Sequence, residues 1–167
     1  MKKLFILFMI FSFITSFLLA NSLELGSPAP QLKVLTDQGT TLDLGEALSA
    51  GTTLVFFYPK AMTPGCVKQA CSLRDGWDEL QARNVSIFGV SSDTAKTQAQ
   101  FRDKYSLPFT LLADTDGKIA DAFSKSRWSR QAYLFKDGIL VWRDTKGATS
   151  KQATEVLAAL DELETNT

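Results

Sequence analysis

Apolar and polar positions divide the chain into two unequal parts. Leu4 to Ala20 form an almost unbroken apolar run, interrupted only by Ser12, Thr15 and Ser16 and preceded by Lys2 and Lys3. That order, a positive segment followed by an apolar one, predicts an export leader spanning residues 1–22. Small residues at Ala20-Asn21-Ser22 predict cleavage after Ser22, with a cut after Ala20 as the alternative. An uncleaved membrane anchor competes with this reading, because a run of about 17 apolar residues sits at the lower length for a spanning helix. No cysteine stands at the boundary, which argues against a lipoprotein.

From residue 23 the pattern changes to short runs with periods of two and of three to four. Gln31–Thr36 and Thr40–Leu44 flank Asp37-Gln38-Gly39 and predict an opening hairpin. Thr53-Leu54-Val55-Phe56-Phe57 is short, apolar and rich in β-branched and aromatic residues, as a buried strand requires. Pro59 ends it. Val67, Ala70, Leu73, Trp77 and Leu80 recur at steps of three and four, so residues 64–80 predict a helix with one core face. Val85–Val90 predict a second buried strand. Thr94–Tyr105 then predict a helix that Pro108 prevents from continuing. Phe109–Ala113 form a strand, and Asp116-Gly117 lead into a short helix ending near Phe123. Ala132–Phe135 and Ile139–Arg143 enclose Asp137-Gly138, the strongest hairpin signal in the chain. A last helix opens with Thr149 and Gln152 as a capping pair and buries Ala153, Val156, Leu157, Leu160 and Leu163. The succession predicts an α/β fold with a central mixed sheet flanked by helices, behind an N-terminal hairpin.

Composition narrows the function. The 145 residues after the leader suit one domain, 23–167. Losing Lys2 and Lys3 leaves 16 basic residues against 18 acidic, a balance that gives a nucleic-acid partner no support. Histidine is absent, which excludes Cys-His nucleophile couples and histidine metal sites. No cofactor is expected. Asp114 and Asp116 beside Gly117 read as turn residues rather than as a cation site.

The chemistry concentrates at Tyr58–Cys71, which holds both cysteines. Thr63 is a good N-cap, Pro64 fits the first helical position, and Cys66 falls in the first turn. Unpaired backbone N–H groups and the positive end of the helix dipole favour a thiolate there, so Cys66 is the expected nucleophile. Five residues along an ideal helix, Cα atoms lie about 8 to 9 Å apart. A disulfide needs them within about 7 Å, so Cys66 and Cys71 pair only if the first turns unwind. A permanent structural bridge is the competing reading, but it has no need of a capped helix start at one sulfur.

Pro59, Thr63 and Cys66 fit a Pro-x-x-x-Thr-x-x-Cys signature, with Cys71 five residues later. In these residues the chain resembles the peroxiredoxins, specifically the peroxiredoxin Q or bacterioferritin-comigratory subfamily. The resemblance extends through Gly89–Asp93 and Phe101–Phe109 to the Asp-Gly hairpin, covering about residues 23 to 163. It implies a thioredoxin-like fold, which the element order also fits. It further implies a thiol-dependent peroxidase in which Cys66 attacks hydrogen peroxide or an organic hydroperoxide. Cys71 resolves the product as a disulfide, and a thioredoxin-like dithiol protein reduces it. Thr63 and an arginine hold the peroxide, and Pro59 shields the sulfur. Among Arg127, Arg130 and Arg143 the resemblance selects Arg130, with Arg127 as the alternative. The expected state is a monomer, exported to the periplasm or another extracytoplasmic space, and membrane-tethered if the leader stays. Ala61-Met62 and Lys136 depart from residues common in the family, and Trp128 is a candidate for the pocket wall. Two other functions compete: an exported thiol-disulfide oxidoreductase, and a redox-sensing binding module. The first normally uses Cys-x-x-Cys and a proline just before a later strand. Here four residues separate the cysteines and no proline follows Pro108.

Overall fold

The computed structural model describes residues 23–165, so the leader lies outside the described residues. Seven strands form one sheet: β1 (Lys33–Thr36), β2 (Thr41–Asp43), β3 (Thr52–Phe57), β4 (Val85–Ser91), β5 (Thr110–Ala113), β6 (Gln131–Lys136) and β7 (Ile139–Asp144). Their spatial order is β2-β1-β5-β4-β3-β6-β7. β3, β4 and β5 run parallel, and every other neighbouring pair is antiparallel. The sheet is therefore mixed, as the succession of elements predicts.

Six helices cover it: α1 (Leu44–Ser49), α2 (Pro64–Asp75), α3 (Trp77–Ala82), α4 (Ala95–Tyr105), α5 (Lys118–Ala122) and α6 (Gln152–Thr165). β3 is an interior strand, paired with β4 and β6, which explains its unbroken apolar sequence: successive side chains point to opposite faces and both faces are covered. Leu54 and Phe56 pack with Leu73, Leu80, Phe101, Leu111 and Val156, beneath α2, α3, α4 and α6. Val55 and Phe57 pack with Leu44, Leu48, Ile119, Phe123 and Tyr133, beneath α1 and α5.

Three local features differ from the pattern-based expectation. Leu44 does not close a strand but starts α1, whose first turn is capped by the Asp43 carboxylate accepting from the Glu46 N–H at 3.1 Å. Gly76 breaks the helix expected over 64–80 into α2 and α3. A Cβ at Gly76 would lie 2.8 Å from that of Ala153, so the glycine lets α6 approach α2 closely. At the head of α6 the Gln152 side chain is turned inward and does not form a capping pair with Thr149. Elsewhere the signals hold. Asp137 and Gly138 both have positive φ, 50° and 81°, as a two-residue hairpin turn with this sequence requires. Ser106 ends α4 in the left-handed conformation, two residues before Pro108. Asp114 accepts from the Ile119 and Ala120 N–H groups and so anchors the start of α5.

Candidate active site

β3 and β6 lie side by side and antiparallel, with Phe57 opposite Gln131. The loop that leaves β3 toward Cys66 and the loop that delivers Arg130 into β6 therefore emerge at the same end of the sheet. This is also the carboxyl end of the parallel strands, where open α/β sheets gather their chemistry.

Thr63 caps α2 with extended backbone (φ −80°, ψ 148°) and Pro64 opens it. The first intrahelical bond runs from the Val67 N–H to the Thr63 carbonyl at 2.9 Å, so the N–H groups of Gly65 and Cys66 precede the helical ladder. The Thr63 side chain departs from expectation. Its hydroxyl does not cap the helix but donates to the Lys60 carbonyl at 2.9 Å, leaving its oxygen as an acceptor. Pro59 is half-buried in the same connection.

Cys66 is 1% exposed, among Tyr58, Ala61, Ala70 and Ala132. An apolar wall alone would leave a sulfur anion unsolvated, but Arg130 supplies the missing group. Its Nη2 donates to the Cys66 Sγ at 3.4 Å and its Nη1 donates to the Gln69 Oε1 at 2.5 Å. Gln69 is one helical turn beyond Cys66, so the two acceptors share a face of α2 and hold both ends of the guanidinium fork. Gly65 permits this approach, since a Cβ there would sit 3.1 Å from the Arg130 Nη2. Arg127 is exposed and donates to the carbonyls of Asp114 and Thr115. Arg143 donates to the Leu23 carbonyl and to Glu24. Of the three candidate arginines, Arg130 is the one on the sulfur. Trp128 is 66% exposed.

Both cysteines are free thiols inside α2, Cys66 buried and Cys71 half-buried, so the structure is that of the reduced, fully wound helix.

The loop before the sulfur is fixed by Asp93, Ser91 and Gln98, to which the sequence assigns no role of their own. Asp93 accepts from the Ala61 N–H and from the Ser91 hydroxyl, both at 2.7 Å. Gln98 donates to the Ser91 Oγ and to the Leu112 carbonyl while accepting from the Tyr58 hydroxyl. Burial holds that hydroxyl well above the ordinary phenol range; hydrogen bonds to Ser91 and Gln98 oppose the shift, and the charges of Asp93 and Cys66 add to it. Tyr58 is thus a neutral donor fixed in the wall behind the sulfur. Met62, next to the Ala61 that Asp93 anchors, has φ of 65°, a costly conformation for a long side chain.

The AhpC/TSA family model matches residues 25–143. The chain belongs to the AhpC/TSA family. Among its relatives, peroxiredoxin Bcp of Escherichia coli is 39% identical over 121 residues, 71% of this chain and 76% of that protein. Peroxiredoxin Bcp of Bacillus subtilis is 38% identical over 124 residues, 74% of this chain and 77% of that protein. The crystal structure of peroxidoxin BcpB from Mycobacterium tuberculosis superposes with a TM-score of 0.77 at 29% identity, covering 84% of this chain and 97% of that one. A peroxiredoxin Q from Xanthomonas campestris gives 0.76 at 28% identity, covering 86% and 98%. The fold is thioredoxin-like, and this peroxiredoxin is of the Q or Bcp type. It is a thiol-dependent peroxidase.

Proposed function

We propose that Cys66 is the peroxidatic nucleophile of this peroxiredoxin, with Cys71 as the resolving thiol and Arg130, Thr63 and Pro59 shaping the peroxide pocket. The observation that carries the assignment is the Arg130 guanidinium on the Cys66 sulfur, locked by Gln69 at the start of α2. The Cys66 thiolate attacks the nearer peroxide oxygen, the O–O bond breaks, and Cys66 becomes a sulfenic acid. The leaving oxygen departs as water or alcohol after gaining a proton. Arg130 stabilises the charge that shifts onto that oxygen, and the Thr63 oxygen accepts from the peroxide O–H. Enclosure of the sulfur keeps competing thiols away until the peroxide has reacted.

The second step needs a different backbone. Both cysteines sit in one intact helix, at a spacing too long for a disulfide, so α2 unwinds before Cys71 displaces the sulfenic oxygen as water. A dithiol protein of the thioredoxin type then takes the disulfide by exchange and becomes oxidised itself. Because both sulfurs belong to one helix, a monomer completes the cycle. Hydrogen peroxide and organic hydroperoxides both fit a mechanism that touches only the O–O unit. The bacterioferritin comigratory protein of Xanthomonas campestris, 26% identical with a TM-score of 0.75, has alkyl peroxide reduction activity. We further propose that residues 1–22 export the chain and that residues 23–167 act outside the cytoplasm, a reading supported by the Lys2-Lys3 and Leu4–Ala20 pattern.

Turnover tests the assignment. With a thioredoxin system present, the wild type is expected to consume many equivalents of peroxide and Cys66→Ser none. A single oxidation without sustained consumption would instead mark a sensor. Disulfide exchange with proteins, with peroxide ignored, would mark an oxidoreductase.

A further inference from the structure

Arg130 is a donor only, so the group it meets on Gln69 must be the amide oxygen. That fixes the orientation of Gln69 and turns its Nε2 toward α6, where it donates to the Gln152 Oε1 at 2.8 Å. The second amide is fixed in turn, and its Nε2 finds no acceptor among the described residues. Gln69 and Gln152 are both fully buried. A buried donor without a partner destabilises a fold, and a side chain needed only for packing would be apolar. Gln152 fits this place as a correctly oriented acceptor at the end of a chain that begins at the Cys66 sulfur.

We propose that Gln152, 83 residues beyond Gln69 in sequence, is a positioning residue for the peroxide reaction that acts through Gln69 and Arg130. The inference rests on the peroxidatic role of Cys66. Two further contacts tie the same pair of helices: the Ala153 N–H donates to the Ser72 hydroxyl at 3.1 Å, and Gly76 lets Ala153 pack closely. The start of α6 is thereby fastened to the helix that must unwind. Gln69 lies between the two cysteines, so disulfide formation carries it out of its place and breaks its bonds to Arg130 and Gln152 together. The amide chain therefore has opposite effects on the two steps. It aligns Arg130 for oxidation of Cys66, and it holds α2 wound against closure by Cys71.

The test uses Gln152→Met, similar in shape but without an acceptor, with Gln152→Leu as a second apolar replacement. Gln152→Glu is the rescue variant, because it keeps the acceptor. Rapid-quench mass spectrometry follows Cys66 oxidation by hydrogen peroxide and then closure of the disulfide, while thermal unfolding monitors the fold. Gln152→Met is expected to oxidise roughly ten-fold more slowly and to close its disulfide several-fold faster, with a thermal midpoint at or above that of the wild type. Gln152→Glu is expected to oxidise within about three-fold of the wild type. The proposal is overturned if the apolar variants oxidise at the wild-type rate, if both steps slow together as the midpoint falls, or if Gln152→Glu is as slow as Gln152→Met. A wild type no faster than a free thiol would instead remove the peroxidatic role on which the inference rests.

Discussion

Gly65→Ala separates the reactivity of Cys66 from the stability of its helix, because the two are expected to move in opposite directions. Gly65 is the second residue of α2 and has no positive φ, so alanine suits its backbone. In a helix the change from glycine to alanine stabilises by about 0.5 to 1 kcal/mol. The new Cβ, however, would stand 3.1 Å from the Arg130 Nη2, closer than an ordinary carbon-to-nitrogen contact. Arginine normally yields by rotating away, but this fork is held at Nη1 by Gln69 and its Cβ lies against Gly147. The guanidinium must therefore shift by a few tenths of an ångström, at the expense of its 3.4 Å contact with the sulfur. Losing a charge-assisted bond completely costs about 1.5 to 3 kcal/mol, or about 10- to 150-fold in rate. Partial displacement is expected to take about five- to ten-fold from the second-order rate of Cys66 oxidation. Competition against a reference peroxidase measures that rate, and urea unfolding of the reduced protein measures stability. A rate equal to the wild type would show that the guanidinium keeps its place on the sulfur, and a rate and a stability that fall together would show a damaged helix instead; either contradicts the prediction.

Arg130→Met is expected to slow Cys66 oxidation by about 10- to 150-fold, whereas Arg127→Met should leave the rate within about two-fold, since Arg127 serves the carbonyls before α5. Equal losses in a stopped-flow comparison would mean that Arg130 does not act through the sulfur contact. Lys125 is buried with its Nζ 4.2 Å above the Phe57 ring, and burial pulls its pKa down to about 8, against the charge of Asp114. An unfolded lysine titrates at about 10.4, so between these values the unfolded chain binds more protons and stability rises with pH. Lys125→Met is expected to flatten that rise in thermal midpoint between pH 8 and 10; a wild-type-minus-variant difference independent of pH would contradict it. Asp93→Asn is expected to slow peroxide reduction several-fold by loosening the Ala61 N–H contact while leaving the α2 disulfide able to form, as quantified by thiol titration after excess peroxide.

Most of the fold was legible because its signals are local. The Asp137-Gly138 turn, the Pro108 stop and the short apolar run of β3 each depend on a few neighbouring residues. α1 was missed although Asp43 and Glu46 carry a helix-start signal, because Leu44 continued an apolar run and Gly45 disfavours a helix. The break at Gly76 was hidden because the three- and four-residue steps run through it; what decides it is the approach of Ala153, a distant contact. The site divides in the same way. Thr63, Pro64 and Cys66 read directly as a helix start, while Arg130 was indistinguishable from Arg127 by composition and was selected through the family resemblance. Gln69 looks like an ordinary polar helix position and Gln152 like a helix cap, Gln98 falls beside Phe101 on one face of its helix, and only tertiary packing shows that all three are buried. The one sequence signal for Gln69 was its place one turn beyond Cys66, on the side of the nucleophile.

The sulfur held by Arg130 at the start of α2 is expected to react with peroxide far faster than an ordinary thiol. Cys71→Ser isolates that step, since without the resolving thiol the first product persists. One equivalent of hydrogen peroxide is expected to add a single oxygen atom to Cys66, rapidly and stoichiometrically, as a sulfenic acid that a dimedone-type reagent traps for mass spectrometry. Oxygen arriving at the exposed Met62 instead, or at Cys66 no faster than at a free thiol, would contradict the claim.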